Sequence, residues 1–179
     1  MRRFLVALLG VLALVCSACG TASPTSATAT PTPTLTTSRY IASLSELNRS
    51  GVAGMMEFQV TGNVVVMTMD VIGLVPKEKH FQHIHGDGSA ICPTPAEANG
   101  SVTLSEALTN IGPLAFDLQP YPVTDAQGQL KLSQTFTLAP DELANITPLT
   151  GHVVVLHGAM SQGAYDRFLP AACGPIQAA

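Results

Sequence analysis

Tryptophan is absent from this chain of 179 residues, and aromatic residues make up only 5% of it. Charged residues are also scarce, at 11%. The formal net charge is −4, and because Arg2 and Arg3 stand at the extreme N-terminus, losing their two positive charges with a cleaved leader changes −4 to −6. No basic surface then remains to bind the phosphates of a nucleic acid, so we expect no nucleic-acid partner.

The residues that are plentiful are those of strands and turns: Val, Thr, Leu, Gly and Pro. Near-alternating or continuous apolar patterns predict strands at Val52–Val60, Val64–Ile72 and Gly151–His157. Val123–Asp125 and Leu130–Leu138 are predicted to form a hairpin. About seven or eight short strands separated by turn residues predict an all-β fold, an antiparallel sandwich or barrel.

The first 18 residues predict an export signal. Arg2 and Arg3 form its charged start, Phe4 to Val15 its apolar core, and Ser17 and Ala18 its small-residue exit. The apolar run is too short to span a bilayer comfortably, since a spanning helix needs about 20 apolar residues. Residues 1–18 are therefore interpreted as a cleaved signal peptide.

Cys19 directly follows this segment, and the junction resembles the lipobox of bacterial lipoproteins, with Cys16 where a larger apolar residue is usual. The resemblance implies lipidation at Cys19 and a membrane anchor facing the extracytoplasmic side; plain secretion is the alternative. Residues 19–38 are almost wholly Thr, Ser, Ala and Pro, a composition that favours a lipid-anchored linker. The β domain is expected at residues 39–179.

Cys92 and Cys173 are the two cysteines that remain once Cys16 is assigned to the leader and Cys19 to the lipid. In an exported protein such a pair is expected to be oxidised. The alternative is a pair of free thiols that act as copper ligands.

The most informative stretch is H-F-Q-H-I-H-G-D-G, residues 80–88. Because successive side chains of a strand alternate between faces, His83 and His85 share a face and His80 lies on the other. Neutral imidazole is a common ligand of copper and zinc. A third ligand is expected from His157 rather than His152, because His157 ends an apolar strand and is followed by glycine. The alternative is that these histidines bind nothing.

Three motifs together resemble the copper/zinc superoxide dismutase family. The stretch G-L-V-P-K-E-K-H-F-Q-H-I-H-G-D-G, residues 73–88, is similar to the copper-site strand of that family. V-V-V-L-H-G, residues 153–158, is similar to the strand that carries its late copper histidine, and A-A-C-G-P-I, residues 171–176, to its C-terminal cysteine motif. The resemblance spans about residues 51–176.

The resemblance implies a Greek-key β-sandwich or barrel, copper as the cofactor, and conversion of superoxide to dioxygen and hydrogen peroxide. Carried over to this sequence, it implies copper ligands at His83, His85 and His157. It also implies a structural role for His80 and a disulfide between Cys92 and Cys173.

The family's zinc site has no counterpart in this sequence. No histidine occurs between Gly86 and Gly151, so the bridging imidazole and the zinc-loop histidines are missing. Asp87, Asp117 and Asp125 cannot rebuild a zinc site unaided. We therefore expect copper without zinc.

Two further residues are candidates for the family's active-site cation and for a fourth copper ligand. The family's active-site arginine falls where this chain has Pro170, which makes Arg167 the candidate catalytic cation. His152 is the candidate fourth ligand.

Three functions are compatible with this sequence. The first is an extracytoplasmic, copper-only superoxide dismutase. The second is a module that binds or stores copper without turnover, and the third is a metal-free β-sandwich that serves as an interaction domain. The expected partners are superoxide or copper ions and, through the lipid anchor, the membrane; a homodimer is left open.

Overall fold

Antiparallel strands account for most of the computed structural model, which describes residues 35–94 and 102–179. The strands described are β1 (Thr37–Glu46), β2 (Ala53–Thr61), β3 (Val64–Ile72), β4 (Gln82–His85), β5 (Leu114–Asp117), β6 (Leu130–Thr137), β7 (Val153–Ser161), β8 (Ala164–Pro175) and β9 (Gln177–Ala178). The helices described are α1 (Leu104–Ile111) and α2 (Pro140–Ile146).

The strands form one sheet in the order β5-β4-β7-β8-β1-β2-β3-β6, with β9 paired to β1. Every pair of neighbouring strands is antiparallel. β1 joins the two halves of the sheet, because Thr37 to Leu44 pair with β2 whereas Ser45 and Glu46 pair with β8. The predicted all-β, antiparallel fold is confirmed.

The alternation of β3 explains how the core is built. Val65, Met67, Met69 and Val71 are buried, and the residues between them are partly or fully exposed. β7 differs, since seven consecutive residues from Val153 are buried. A strand covered on both faces needs such a continuous apolar run. β7 therefore lies in the interior of the sheet, between β4 and β8.

The observed strands differ from the prediction at several positions, and β5, β8 and β9 have no predicted counterpart. β1 was missed, because its sequence T-S-R-Y-I-A-S-L-S-E continues the Thr- and Ser-rich composition of the preceding linker. The predicted hairpin at residues 123–138 is wrong: β6 pairs with β3, and Val123 forms only an isolated bridge with Lys79. β1 begins at Thr37, two residues before the expected start of the domain.

Three of the sequence predictions concern residues wholly or largely outside the described part of the chain. The signal peptide at 1–18 lies there, as do lipidation at Cys19 and nearly all of the linker at 19–38. Across residues 35–94 and 102–179, none of the helices has the length and apolar character needed to cross a bilayer.

Asn48 is a buried polar residue that ties three segments together. Its side-chain amide donates hydrogen bonds to the carbonyls of Val102 and Pro170, both at 2.9 Å, and its carbonyl accepts one from the backbone N–H of Val102 at 2.8 Å. Its backbone has a φ of +56°, a region that asparagine tolerates better than most residues.

An Asn48→Ala variant is therefore expected to lower the free energy of unfolding by about 3 kcal/mol, because several buried polar groups lose their partners at once. Urea unfolding measures the loss. Asn63→Ala is the matched control, since the Asn63 side chain makes a single hydrogen bond, to the carbonyl of Leu138. Equal losses in the two variants would contradict the prediction.

Candidate metal centre

Three histidines from two neighbouring strands converge on one point. His83 and His85 alternate with the buried Gln82 and Ile84 along β4. β7 pairs with β4 and brings His157 alongside, with the backbone N–H of His157 donating to the carbonyl of Phe81 at 2.8 Å. One ring nitrogen from each histidine lies within 4.8 Å of the others. The structure thus brings together the three residues expected to bind copper.

The backbone orients two of the three imidazoles. His85 Nδ1 lies 3.2 Å from the carbonyl oxygen of Gly112, and His157 Nδ1 lies 3.1 Å from that of Phe168. Because a carbonyl oxygen can only accept, each Nδ1 carries the hydrogen, and each Nε2 of the neutral ring keeps its lone pair. The Nε2 of His85 is buried and has no hydrogen-bond partner among the described residues.

His83 is oriented differently, by side chains. Its Nε2 lies 3.3 Å from the hydroxyl of Tyr121 and 3.6 Å from a carboxylate oxygen of Asp117. Its Nδ1 lies 3.1 Å from the Nε2 of His157. His83 is only half-buried, whereas His85 and His157 are buried, so His83 is the ring of this cluster that solvent can reach.

Burial keeps all three rings uncharged. Burial, and after it the neighbouring His83, lower the pKa of His157 to about 3. Burial also lowers the pKa of His83 and the pKa of His85 below their ordinary value. At neutral pH these residues are therefore neutral imidazoles, the form that binds a metal.

This donor set fits a metal ion. If the two backbone carbonyls and the Tyr121–Asp117 pair each take a ring N–H, the lone pairs of His83 Nδ1 and His157 Nε2 face each other. The buried Nε2 of His85 also lacks a partner among the described residues. A cation bound by all three nitrogens would compensate these lone pairs, and imidazole suits copper and zinc.

The buried histidines are expected to make the metal-free protein less stable in mild acid. Below pH 6.5 the unfolded chain binds a proton at His157, whereas the folded chain does not, because its pKa there is about 3. The unfolded state then binds more protons, so the free energy of unfolding decreases as the pH is lowered. His157 alone contributes a slope that approaches about 1.4 kcal/mol per pH unit, and His83 and His85, whose pKa values are also lowered, act in the same direction. Urea unfolding between pH 7 and pH 5 measures the slope.

A His157→Gln variant is the control for that slope, because glutamine does not titrate. Its stability is expected to fall less steeply over the same pH range. Constant stability of the unsubstituted protein between pH 6.5 and pH 5 would contradict the prediction.

His80 lies outside the cluster and supports the strand that carries His157. It is fully buried, with Nδ1 2.9 Å from the carbonyl oxygen of His157 and Nε2 3.1 Å from that of Val75. The ring of Tyr165 packs edge-on against it at 5.6 Å, and the Tyr165 hydroxyl donates to the carbonyl of Lys79 at 2.6 Å. These contacts leave no room for a side chain at Gly158.

Of the two candidates for the missing fourth ligand and cation, His152 does not join the cluster, and Arg167 lies in a surface groove. His152 is buried with its Nε2 3.1 Å from the carbonyl oxygen of Asn145, and it is not among the histidines that could share an ion. Arg167 is exposed on β8 and lines a surface groove with Glu78, Lys79, Phe81 and Tyr165. The disulfide between Cys92 and Cys173 is confirmed, which excludes free thiols as ligands at these positions.

Sequence reasoning missed the residues that orient the imidazoles. Asp117 was considered only for a zinc site, but its position opposite His83 in the β4–β5 pairing places it beside that ring. Tyr121 donates to Asp117 at 2.5 Å, and burial together with Asp117 raises the pKa of Tyr121 to about 12, so the phenol keeps its proton. The available sequence signal was Tyr121 itself, a hydrogen-bond donor only four positions after Asp117.

Comparison with known proteins identifies the fold. No family model matches the chain, and no curated protein sequence matches it. Among solved structures it is similar to Candida albicans superoxide dismutase 5 in the Cu(II) form, at 15% identity over 80% of this chain and 94% of that chain, with a TM-score of 0.51. Two variants of that protein, glutamate to glutamine and glutamate to alanine, are also 15% identical over 80% of this chain; they match over 92% and 90% of their own length, with TM-scores of 0.51 and 0.50. This similarity shows the fold alone, and it confirms the predicted fold class, a copper/zinc superoxide dismutase-like barrel.

Proposed function

We propose that this chain, whose fold is that of the copper/zinc superoxide dismutases, binds one copper ion through His83, His85 and His157 and converts superoxide to dioxygen and hydrogen peroxide. The observation that carries the proposal is the buried Nε2 of His85, which lacks a hydrogen-bond partner among the described residues and belongs to a cluster of nitrogens within 4.8 Å of one another. The similar superoxide dismutase was solved in its Cu(II) form, which favours copper over zinc.

The chemistry that copper supplies when bound is a one-electron cycle, in which one superoxide is oxidised and the next is reduced with two protons from solvent. His85 and His157 hold the site from its buried side. His83 lies at its solvent side, beside Phe81 and Tyr121. The His83 side chain is 14% exposed, and it therefore marks the side from which a small anion approaches.

Arg167 enters the proposal as a source of positive potential near that approach. Phe81 lines the same surface groove as Arg167. Its ring also contacts Tyr121 at 4.5 Å and Phe168 at 5.6 Å, the two residues that lie next to His83 and His157, so it connects this groove to the histidine cluster. Lys79 lines the same groove as Arg167. A local excess of positive charge raises the rate at which anions arrive, and it does so without contact to the reacting atoms.

Copper storage without turnover is the second candidate function. One observation favours it: among the described residues, no fourth histidine joins the three in the cluster. The carboxylate of Glu78 also lines the groove of Arg167 and offsets part of its charge. Copper binding without turnover would be the outcome of such a site.

Export and a lipid anchor at Cys19 belong to the same proposal. The Cys92–Cys173 disulfide supports export, since disulfides form and persist in oxidising compartments. The anchor at Cys19 would place the copper site on the extracytoplasmic side of the membrane.

The function is tested by copper binding and superoxide loss, measured side by side. The protein is expected to bind one equivalent of Cu(II) and to remove superoxide catalytically, and a His83→Ala, His85→Ala double variant is expected to lose both activities. His152→Ala is the matched control, because this histidine lies outside the cluster.

Each outcome of that test assigns one function. Binding and turnover lost only in the double variant establish the dismutase. Tight binding without turnover establishes the copper-storage module. No binding by the unsubstituted protein overturns both and leaves the interaction domain.

A further inference from the structure

We propose that Asp117 and Tyr121 are positioning residues, which fix the imidazole of His83 in one tautomer and set its strength as a copper donor. This inference rests on the proposed copper site and deepens it. It concerns the one histidine of the cluster that is oriented by side chains rather than by backbone carbonyls.

The register of the sheet places the carboxylate of Asp117 beside His83. Asp117 lies directly opposite His83 in the antiparallel pairing of β5 with β4, and side chains of such a pair stand on the same face. The carboxylate is held from two sides: the Tyr121 hydroxyl donates to Oδ1 at 2.5 Å and the Gln119 amide to Oδ2 at 2.6 Å. The carboxylate is therefore fixed in place before any metal binds.

The direction of the hydrogen bonds determines the tautomer of His83. A phenol has one proton, and Tyr121 gives it to Asp117. The Tyr121 oxygen, 3.3 Å from His83 Nε2, can then only accept from that nitrogen. Nε2 of His83 carries the hydrogen, and its Nδ1 presents a lone pair to the cluster.

The packing around Tyr121 makes this orientation rigid. Its ring packs against Phe81 in a tilted arrangement with centroids 4.5 Å apart, and Phe81 contacts Phe168 edge-on at 5.6 Å. Phe168 is the residue whose carbonyl orients His157. The positions of two ligands are thus connected through three aromatic side chains.

A carboxylate behind a metal-bound histidine makes that ring a stronger donor. A stronger donor favours Cu(II) over Cu(I), because the higher charge gains more from it. Asp117, acting directly and through Tyr121, is therefore expected to raise the affinity for Cu(II) relative to Cu(I). His83 is then the ligand through which the protein adjusts the balance between the two oxidation states.

The first test needs no metal. ¹⁵N NMR of the histidine rings in the metal-free protein is expected to show His83 protonated at Nε2, and His85 and His157 at Nδ1. In Tyr121→Phe, which keeps the ring and removes the hydroxyl, and in Asp117→Asn, His83 is expected to shift towards the Nδ1-protonated form. His85 and His157 serve as internal references and should not change.

The second test measures Cu(II) and Cu(I) affinity in the same variants. Loss of an orienting partner typically costs 10- to 100-fold in metal affinity. We expect a loss of that size for Cu(II) and a smaller one for Cu(I), with the double variant no worse than Asp117→Asn alone. Asp70→Asn is the matched control, since Asp70 pairs with Lys131 at an exposed position on β3.

The outcomes separate this inference from the proposed function. An unchanged His83 tautomer in both variants overturns the positioning role even if copper binds. The expected tautomers with no copper binding would overturn the copper function and support the positioning of His83. An equal loss of Cu(II) and Cu(I) affinity would overturn the donor-strength argument.

Discussion

Removal of the disulfide between Cys92 and Cys173 is expected to lower the free energy of unfolding by about 4 to 5 kcal/mol, because the unfolded chain regains the entropy of a long loop. The bond joins positions 81 residues apart. Cys173 also belongs to a small buried apolar cluster with Ile111 and Val155, and truncating it leaves space there. The change is the double variant Cys92→Ala, Cys173→Ala, measured by urea unfolding without reductant.

A reductant provides the control for this prediction. It should destabilise the unsubstituted protein by a similar amount and leave the double variant unchanged. The segment after His85 keeps hydrogen bonds of its own, from Gly86 N–H to the Pro113 carbonyl at 2.8 Å and from Ala90 N–H to the Gly151 carbonyl at 2.9 Å. We therefore expect the folded variant to keep its copper affinity. An unchanged unfolding midpoint would contradict the entropy argument.

A Gly158→Ala substitution is expected to cost about 3 kcal/mol or more, with a loss of copper affinity. The backbone of Gly158 has a φ of +101°, which strains any residue with a side chain. A β-carbon there would also collide with the hydroxyl of Tyr165 and lie 2.7 Å from Nδ1 of His80. Overpacking of this kind typically costs about 1 to 3 kcal/mol in addition to the strain. Because His80 holds the carbonyl of His157, the collision acts directly on a ligand.

Gly88→Ala separates the two causes. Gly88 has a similar φ of +104°, and nothing lies within 4 Å of a β-carbon built on it. This control should show the backbone strain without the collision. Urea unfolding and Cu(II) titration of both variants measure the difference, and equal effects would show that Tyr165 and His80 move aside freely.

The sequence was sufficient for features that depend on local periodicity. Val64–Ile72 was predicted with the observed bounds, because its alternation and its flanking glycines define a strand. His83 and His85 lie on one face of β4, as strand alternation predicts. His80 precedes β4, and its separate position comes from its own contacts with the carbonyls of His157 and Val75. The motif resemblance then supplied the fold class, which the structural similarity confirms.

The remainder depends on contacts that join distant parts of the chain. The partner of β6 is β3 rather than the nearby residues 123–125, because buried side chains across the sheet decide pairing. The spacing of Asp117 and Tyr121 can suggest that these two residues meet, but Tyr121 reaches His83 only after β4 and β5 have paired. The buried contacts of Asn48 likewise combine residues far apart in the chain.

Main-chain carbonyls orient His85 and His157, and this limits how a substitution can change the orientation of these two ligands. A substitution at Gly112 or Phe168 can displace a carbonyl but cannot delete it. His83 depends instead on a phenol and a carboxylate, either of which a single codon change can remove. The orientation of His85 and His157 therefore depends on the path of the backbone. The orientation of His83 depends on two side chains, so it is the one that substitutions can change most directly.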